Sequence, residues 1–466
     1  MTSPEQYDLI VVGSGSGNSI PEYLAGWRVA LVERDLVFGG TCLNRGCIPS
    51  KMFVLPADLV ADAATSARLG VDVRFHGADW AAIRDRVFGR IDAISQGGRE
   101  YRATGTAGLT LIEGTARFSG DRQLDVELAD GTVRTIAAPN IFVAVGSRPV
   151  VPDIPGLAES GFHTSDSIMR LDRLPARLGV IGAGFIAAEM GHVFASFGSQ
   201  VTVFNRSMGM LTHHDFDISA RFTEVFGEHV DLRLGRVPEW VERRQGGNGA
   251  EIVLHDPRVE PVVVDELLVA TGRRPNSDLI DAAAGGVAIA ADGTIDVDAQ
   301  MRTSAPGVWA AGDVANRWQL KHVANAEARV AFWNIAHPDD LRTVDYSAVP
   351  SAVFSHPQVA AVGFTEQDAL AAGLDIVVGC RDYGGTAYGW ALVDETSFAK
   401  VIVDRSSGLI VGAHVLGPQA ATLIQPLVTA IQFGQTADQV ARGQYWIHPA
   451  LTEVVENALI DALDRF

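Results

Sequence analysis

Cysteine is scarce in this sequence: its 466 residues include only three, Cys42, Cys47 and Cys380. So few argue against a disulfide-stapled extracellular scaffold and suit a reducing, cytoplasmic location. They make a tetrahedral zinc site the least supported use of the cysteines, because no second pair exists to complete four ligands, and no metal is expected. Basic residues are also outnumbered, 37 Lys and Arg against 56 Asp and Glu, for a net charge of −19. That balance opposes nucleic acid or an anionic membrane as partner. No apolar run approaches the ~18–20 residues that span a bilayer. The first eight residues are short and polar and lead straight into an apolar strand, so no secretory leader is expected.

What is present is an ordinary α/β composition, 47% hydrophobic with 48 Gly and 20 Pro, long enough for roughly two to four domains. The most informative stretch is Gly39-Gly-Thr-Cys-Leu-Asn-Arg-Gly-Cys-Ile-Pro-Ser-Lys51. Two close cysteines in so cysteine-poor a chain suggest a dithiol that opens and closes, with packing or incidental thiols as the alternative. Gly39, Gly40 and Gly46 let backbone approach a large ligand closely. Pro49 starts a helix that runs on through Met52, Phe53, Leu55 and Leu59.

Two dinucleotide fingerprints flank this picture. The strand Tyr7–Val12 leads to Gly13-x-Gly15-x-Gly17-Asn18, and a second strand ends in Glu33, 20 residues after Gly13. The pattern predicts a tight turn, a pyrophosphate at a helix N-terminus, and an acid for the ribose. Asn18 departs from it, standing where Gly or Ala is usual. The second fingerprint is Gly182-x-Gly184-Phe185-Ile186-Ala187, followed by strand Val201–Phe204 and then Asn205-Arg206. A neutral residue followed by Arg favours a 2′-phosphate over a free 2′-OH, hence NADPH over NADH. His213 and His214 either assist that phosphate or are surface or packing residues. The strand-end glycine turn at Gly146 recurs at Gly272, which suggests two units of similar construction, the second inserted in the first. Residues 52–105 read as helical, and strands follow from Leu109. After about Tyr346 the pattern becomes α+β with an antiparallel sheet. Near the C-terminus stands His448-Pro449-Ala-Leu-Thr-Glu453. A carboxylate there can fix one ring nitrogen of the histidine and leave the other for a thiol.

Gly-Gly-Thr-Cys-x4-Cys-x-Pro-x-Lys, the two fingerprints and the His–Glu stretch together resemble the flavin-dependent pyridine nucleotide-disulfide oxidoreductases, over nearly the whole chain. The resemblance implies an α/β fold of two Rossmann-like nucleotide-binding domains, the NADPH domain inserted in the FAD domain, plus a C-terminal α+β dimerisation domain. Expected boundaries are 1–149 and 273–345 for FAD, 150–272 for NADPH, and 346–466 for the dimer interface. It assigns Gly13, Gly15, Asn18, Glu33, Gly40, Thr41, Lys51, Ala116, Gly146, Gly312 and Asp313 to FAD. It assigns Gly182, Gly184, Phe185, Ile186, Glu189, Asn205, Arg206 and Gly272 to NADPH. Cys47 becomes the flavin-facing thiol and Cys42 the interchange thiol. His448, held by Glu453, becomes the acid/base and acts across a homodimer. Lys51 and Glu189 resemble the ion pair beside the flavin, and residues 321–329 a helix near its ring. Within the family, Phe38–Val54, Arg86–Asp92, Tyr388–Ala391 and Ala441–Leu451 look closest to the branch that reduces mycothione, the disulfide of mycothiol. An NAD-linked dihydrolipoamide dehydrogenase, or a glutathione reductase, is the alternative. Cys380 is read as buried or incidental.

Overall fold

The computed structural model describes residues 3–246 and 249–466. The fold is α/β, and the chain divides into two compact units.

The first unit comprises Met1–Pro49, Arg84–Val150 and Gly272–Asp345. Its eight-stranded sheet runs in the order Glu5–Gln6, Val133–Ala137, Gln123–Leu128, Leu109–Gly120, Val29–Glu33, Leu9–Val12, Asn140–Val143, Val308–Ala310. Leu9–Val12 is parallel to both neighbours, with Ile10 opposite Ala30 and Ile141. Its four residues are all buried, as an inner parallel strand covered on both faces requires. Leu109–Gly120 begins parallel to Val29–Glu33 and continues as one arm of an antiparallel hairpin with Gln123–Leu128. Gly13, Gly146 and Gly312 all follow the carboxyl ends of parallel strands, where open α/β sheets hold their ligands. Three helices matter here: α1 (Gly40–Asn44), α2 (Cys47–Thr65) and α3 (Trp80–Glu100). From Ser50 onward the residues of α2 belong to the second unit.

The second unit comprises Ser50–Ile83, Val151–Thr271 and Tyr346–Phe466. It contains a four-stranded parallel sheet, ordered Asp231–Leu234, Gln200–Asn205, Arg177–Ile181, Glu266–Val269. Helix α4 (Phe185–Ser196) follows its central strand, and α5 (Phe216–Phe226) lies further along. A three-stranded antiparallel sheet, Trp240–Gly246, Gly249–His255 and Val262–Val264, is attached. The C-terminal part is a five-stranded antiparallel sheet, ordered Pro350–Val353, Val359–Gly363, Ile410–Leu416, Phe398–Asp404, Ile376–Asp382. The last helix, Thr452–Leu463, lies so close to this sheet that a Cβ on Gly379 would come within 2.1 Å of the Ala458 carbonyl. Lys400, only 1% exposed, joins the strand Phe398–Asp404 to the start of α5. Its Nζ lies 2.8 Å from Asp215, 2.7 Å from Asp217 and 2.6 Å from Glu366. Helix α6 (Lys321–Ala336) belongs to the first unit.

Two expectations fail. Residues 52–105 are not helical throughout: α2 gives way to a short turn that stops at Gly70 (φ +79°), and irregular chain runs to α3. Gly70 takes the left-handed conformation that closes a helix end. More consequentially, no helix follows the first glycine turn. Only the single turn Ser16–Asn18 forms, then Pro21 and a second short turn, Glu22–Leu24. Proline lacks the N–H needed to extend the first turn, and few residues separate Asn18 from the strand at Val29.

Candidate active site

Cys42 lies in α1 and Cys47 is the first residue of α2. Five residues apart on one unbroken helix, two side chains would point roughly 140° apart. The break at Arg45-Gly46 removes that mismatch. Gly46 eases the break, because a Cβ would sit a tight 3.1 Å from the Thr41 carbonyl. Asn44 braces the turn, its side-chain amide donating to the carbonyls of Phe38 (2.9 Å) and Gly40 (3.0 Å). Neither cysteine is in a disulfide, with Cys47 exposed and Cys42 half-buried. The hydrogen bond with Cys47 holds the Cys42 thiol well above the ordinary thiol range, burial adds to this, and the Lys321 charge opposes it.

The cradle beside them fits a dinucleotide. Gly13 has φ +106°, and a Cβ there would strike the Ala144 carbonyl at 2.4 Å. A Cβ on Gly15 would meet nothing within 4 Å, so the backbone there is open to a large group. Gly40 packs on this turn, its imagined Cβ 2.6 Å from Gly15 Cα. The Ser14 hydroxyl accepts from Gly39 N–H at 2.8 Å, tying the glycine turn to the start of α1. Glu33 ends its strand and accepts from Ser14 N–H (2.7 Å) and Asp35 N–H (2.8 Å), which leaves carboxylate lone pairs for a sugar hydroxyl. Asp313 accepts from the Ser147 hydroxyl at 2.6 Å, and Gly312 N–H is bound by Glu327 at 2.7 Å. Thr41 is exposed, and Gly146 has φ +66°. The Ala116 side chain is buried in the core of the first unit, so only its backbone is available to a ligand.

In the second unit the Lys51 ammonium lies 2.5 and 2.6 Å from the two oxygens of Glu189, itself only 5% exposed. Phe354 N–H donates to the same carboxylate at 3.1 Å, and the Phe354 ring lies 4.7 Å from the ammonium. Further along these two helices His192 Nε2 meets Asp58 at 2.7 Å, a second link that the sequence pattern does not announce. Gly182 (φ +119°) repeats the geometry of Gly13, with a Cβ 2.2 Å from the Ala270 carbonyl, and Gly184 repeats the open space at Gly15. Phe185 is half exposed and Ile186 partly buried at the start of α4. The Asn205 amide donates to the carbonyls of Ser207 and Gly209, both at 3.3 Å, shaping the loop that presents Arg206. Arg206 is exposed, with no ion-pair partner among the described residues. Gly272 (φ +114°) falls in the first unit rather than with these residues. His214 is pushed down to about 4 by burial, then by His414 and His213, so it is neutral at physiological pH and offers a phosphate no charge. Cys380 is exposed rather than buried, yet its thiol is pushed up to about 11, chiefly by burial of the sulfur, and gives little thiolate.

His448 Nδ1 lies 2.8 Å from Glu453 Oε1. Ala450 N–H approaches the other carboxylate oxygen at 3.4 Å, and Asn457 donates to the Glu453 carbonyl at 2.7 Å. The five-residue spacing works because the chain turns at Pro449 and re-enters a helix at Thr452, with Glu453 in its first turn. Lys321 lies in no motif of its own. The signal for it was its lysine identity in a chain with only two others.

Residues 7–328 match the family model described as pyridine nucleotide-disulphide oxidoreductase, and residues 349–459 match its dimerisation domain. The chain is 45% identical to mycothione reductase of Mycobacterium tuberculosis, covering 98% of this chain and 99% of that protein. It is 33% identical to dihydrolipoyl dehydrogenase of Halobacterium salinarum, covering 98% and 96%. Among solved structures it is similar to the Cu(II) complex of the HOCl-induced flavoprotein disulfide reductase RclA from Escherichia coli. That match has 27% identity and a TM-score of 0.86, covering 98% of this chain and 99% of that one.

Proposed function

Because the chain belongs to the pyridine nucleotide-disulphide oxidoreductases, flavoenzymes that use FAD and a pyridine nucleotide, we propose that it reduces mycothione with electrons from NADPH. The supporting observation is the Cys42–Cys47 dithiol at a helix break, in a chain 45% identical to a mycothione reductase along almost its whole length. Arg206 supports NADPH, since an exposed guanidinium after a neutral strand end suits a 2′-phosphate. In this reading residues 150–272 take the pyridine nucleotide and 346–466 form a homodimer, working in the cytoplasm.

FAD, when bound, supplies the relay of two electrons from NADPH to the Cys42–Cys47 disulfide. The chain supplies the rest. Lys51, held by Glu189, would set a positive charge beside the flavin and favour its reduced, anionic form. His448 of the partner subunit takes the proton of the Cys42 thiol, and the resulting thiolate attacks one sulfur of the substrate disulfide and forms a mixed disulfide. His448 of the partner subunit gives a proton to the departing thiolate, which makes it a better leaving group. Cys47 then attacks Cys42, closes the protein disulfide and releases the second thiol. Two protein thiols are oxidised and one substrate disulfide becomes two thiols. Glu453 keeps Nδ1 occupied, so Nε2 is the nitrogen that carries the proton.

Anaerobic titration tests this. NADPH should produce long-wavelength thiolate–flavin absorbance, and turnover should be higher on mycothione than on oxidised glutathione or lipoamide. Absence of the band with NADPH, or preferred turnover of lipoamide with NADH, would reject the reading.

A further inference from the structure

The two glycine turns of this chain are not equivalent. Gly182–Gly184 opens into α4, twelve residues of aligned peptide dipoles. Gly13–Gly15 opens into a single turn, Ser16–Asn18. A full helix brings about half a positive charge to its N-terminus, where a diphosphate binds. One turn has few aligned dipoles to bring. Its end is also improvised, with Arg102 donating to the Asn18 side chain at 2.7 Å and to the Asn18 carbonyl at 2.9 Å. That guanidinium satisfies an acceptor which a continuing helix would have used.

Charge arrives from elsewhere. The chain has three lysines. Lys51 is paired with Glu189, and Lys400 with Asp215, Asp217 and Glu366. Lys321, the first residue of α6, has no carboxylate partner among the described residues. It is half-buried, and its Nζ lies 3.1 Å from the Ser16 hydroxyl, on the single turn that follows Gly15. The same hydroxyl donates to Asn325 one turn further along α6, at 3.0 Å, so helix and glycine turn are held together. Gly40 and Ser14 complete the wall of this cradle. A partly desolvated ammonium without a counter-charge is costly unless an anion joins it.

We propose that the Lys321 ammonium binds the FAD diphosphate and replaces the helix dipole that the first glycine turn lacks. Arg102 is a positioning residue that fixes the shortened turn through Asn18. This rests on the chain being a flavoprotein and is independent of which disulfide it reduces.

Two measurements test it, and neither needs a disulfide substrate. The first is FAD release from the holoenzyme at rising KCl. Wild type and Lys321→Arg should hold FAD with marked salt sensitivity, since salt screens the contact. Lys321→Met should hold it about tenfold or more weakly, as expected for one charge-assisted hydrogen bond, and with a flatter salt response. The second uses wild type and survives any folding defect of the variants. Amine acetylation is read by mass spectrometry, each of the three lysines being separately identified. FAD and ADP should protect Lys321 in deflavinated protein, and riboflavin, which has no diphosphate, should not. Equal labelling with and without FAD, protection by riboflavin as strong as by ADP, or unchanged FAD affinity in Lys321→Met would overturn the proposal.

Discussion

Nδ1 of His448 is hydrogen-bonded to Oε1 of Glu453 at 2.8 Å, although the imidazole is 72% exposed. The carboxylate holds one ring nitrogen, and Tyr445 and Ile447 of the same segment are exposed as well. An exposed histidine gains little from such orientation alone, so the pair is suited to a surface that a second subunit covers. His448→Gln should lower disulfide turnover by about 10²–10⁴-fold, the usual contribution of a general acid–base group. Reduction of the flavin by NADPH should be unchanged. Glu453→Gln should produce a smaller loss in the same step. Stopped-flow measurement of the two half-reactions separates these effects, and slowed flavin reduction in His448→Gln would contradict the assignment.

Cys42→Ser should abolish turnover while the flavin remains reducible and Cys47 remains able to give the long-wavelength band. Cys47→Ser should remove that band. The asymmetry follows from the roles proposed for the two thiols, Cys47 toward the flavin and Cys42 toward the substrate. Normal disulfide reduction by Cys42→Ser would show that the interchange role is wrong.

Arg206→Ala should raise KM for NADPH by roughly tenfold and leave KM for NADH nearly unchanged, as loss of one exposed charge-assisted contact implies. Asn205→Glu should move preference toward NADH by repelling the 2′-phosphate. Equal changes for both nucleotides would assign Arg206 to general surface charge.

Lys400 is buried with Asp215, and burial raises its partner's pKa while the Lys400 hydrogen bond overrides this and holds Asp215 below the usual carboxylate range. A depressed folded-state pKa contributes stability above the unfolded value, near pH 4, and loses it as pH falls through the folded value. In Lys400→Met that hydrogen bond is gone and burial acts on an unpaired carboxylate, which takes up a proton as the pH falls. Lys400→Met should cost about 3–5 kcal/mol at neutral pH, with the loss shrinking toward pH 4 as Asp215 is protonated. Denaturant unfolding at the two pH values checks the size and sign of that difference.

The sequence by itself determined the chemistry-bearing pieces that depend on local spacing. Gly13 and Gly182 are forced by close approach to a neighbouring strand, Gly46 is favoured at the break between two cysteine-bearing helices, and Glu453 reaches His448 across one turn. Each is a short-range constraint, so it leaves a mark in a short stretch of residues. The helix that the glycine motif predicts after Gly17 does not form, because Pro21 stops the turn that begins at Ser16. Only the tertiary structure decided what depends on residues distant in the chain. Lys321 meets Ser16 across 305 positions, Lys400 meets Asp215 across 185, and His192 meets Asp58 across 134. A single charged residue carries no periodicity to announce its partner, and its role is set by which charges the fold brings within hydrogen-bonding distance.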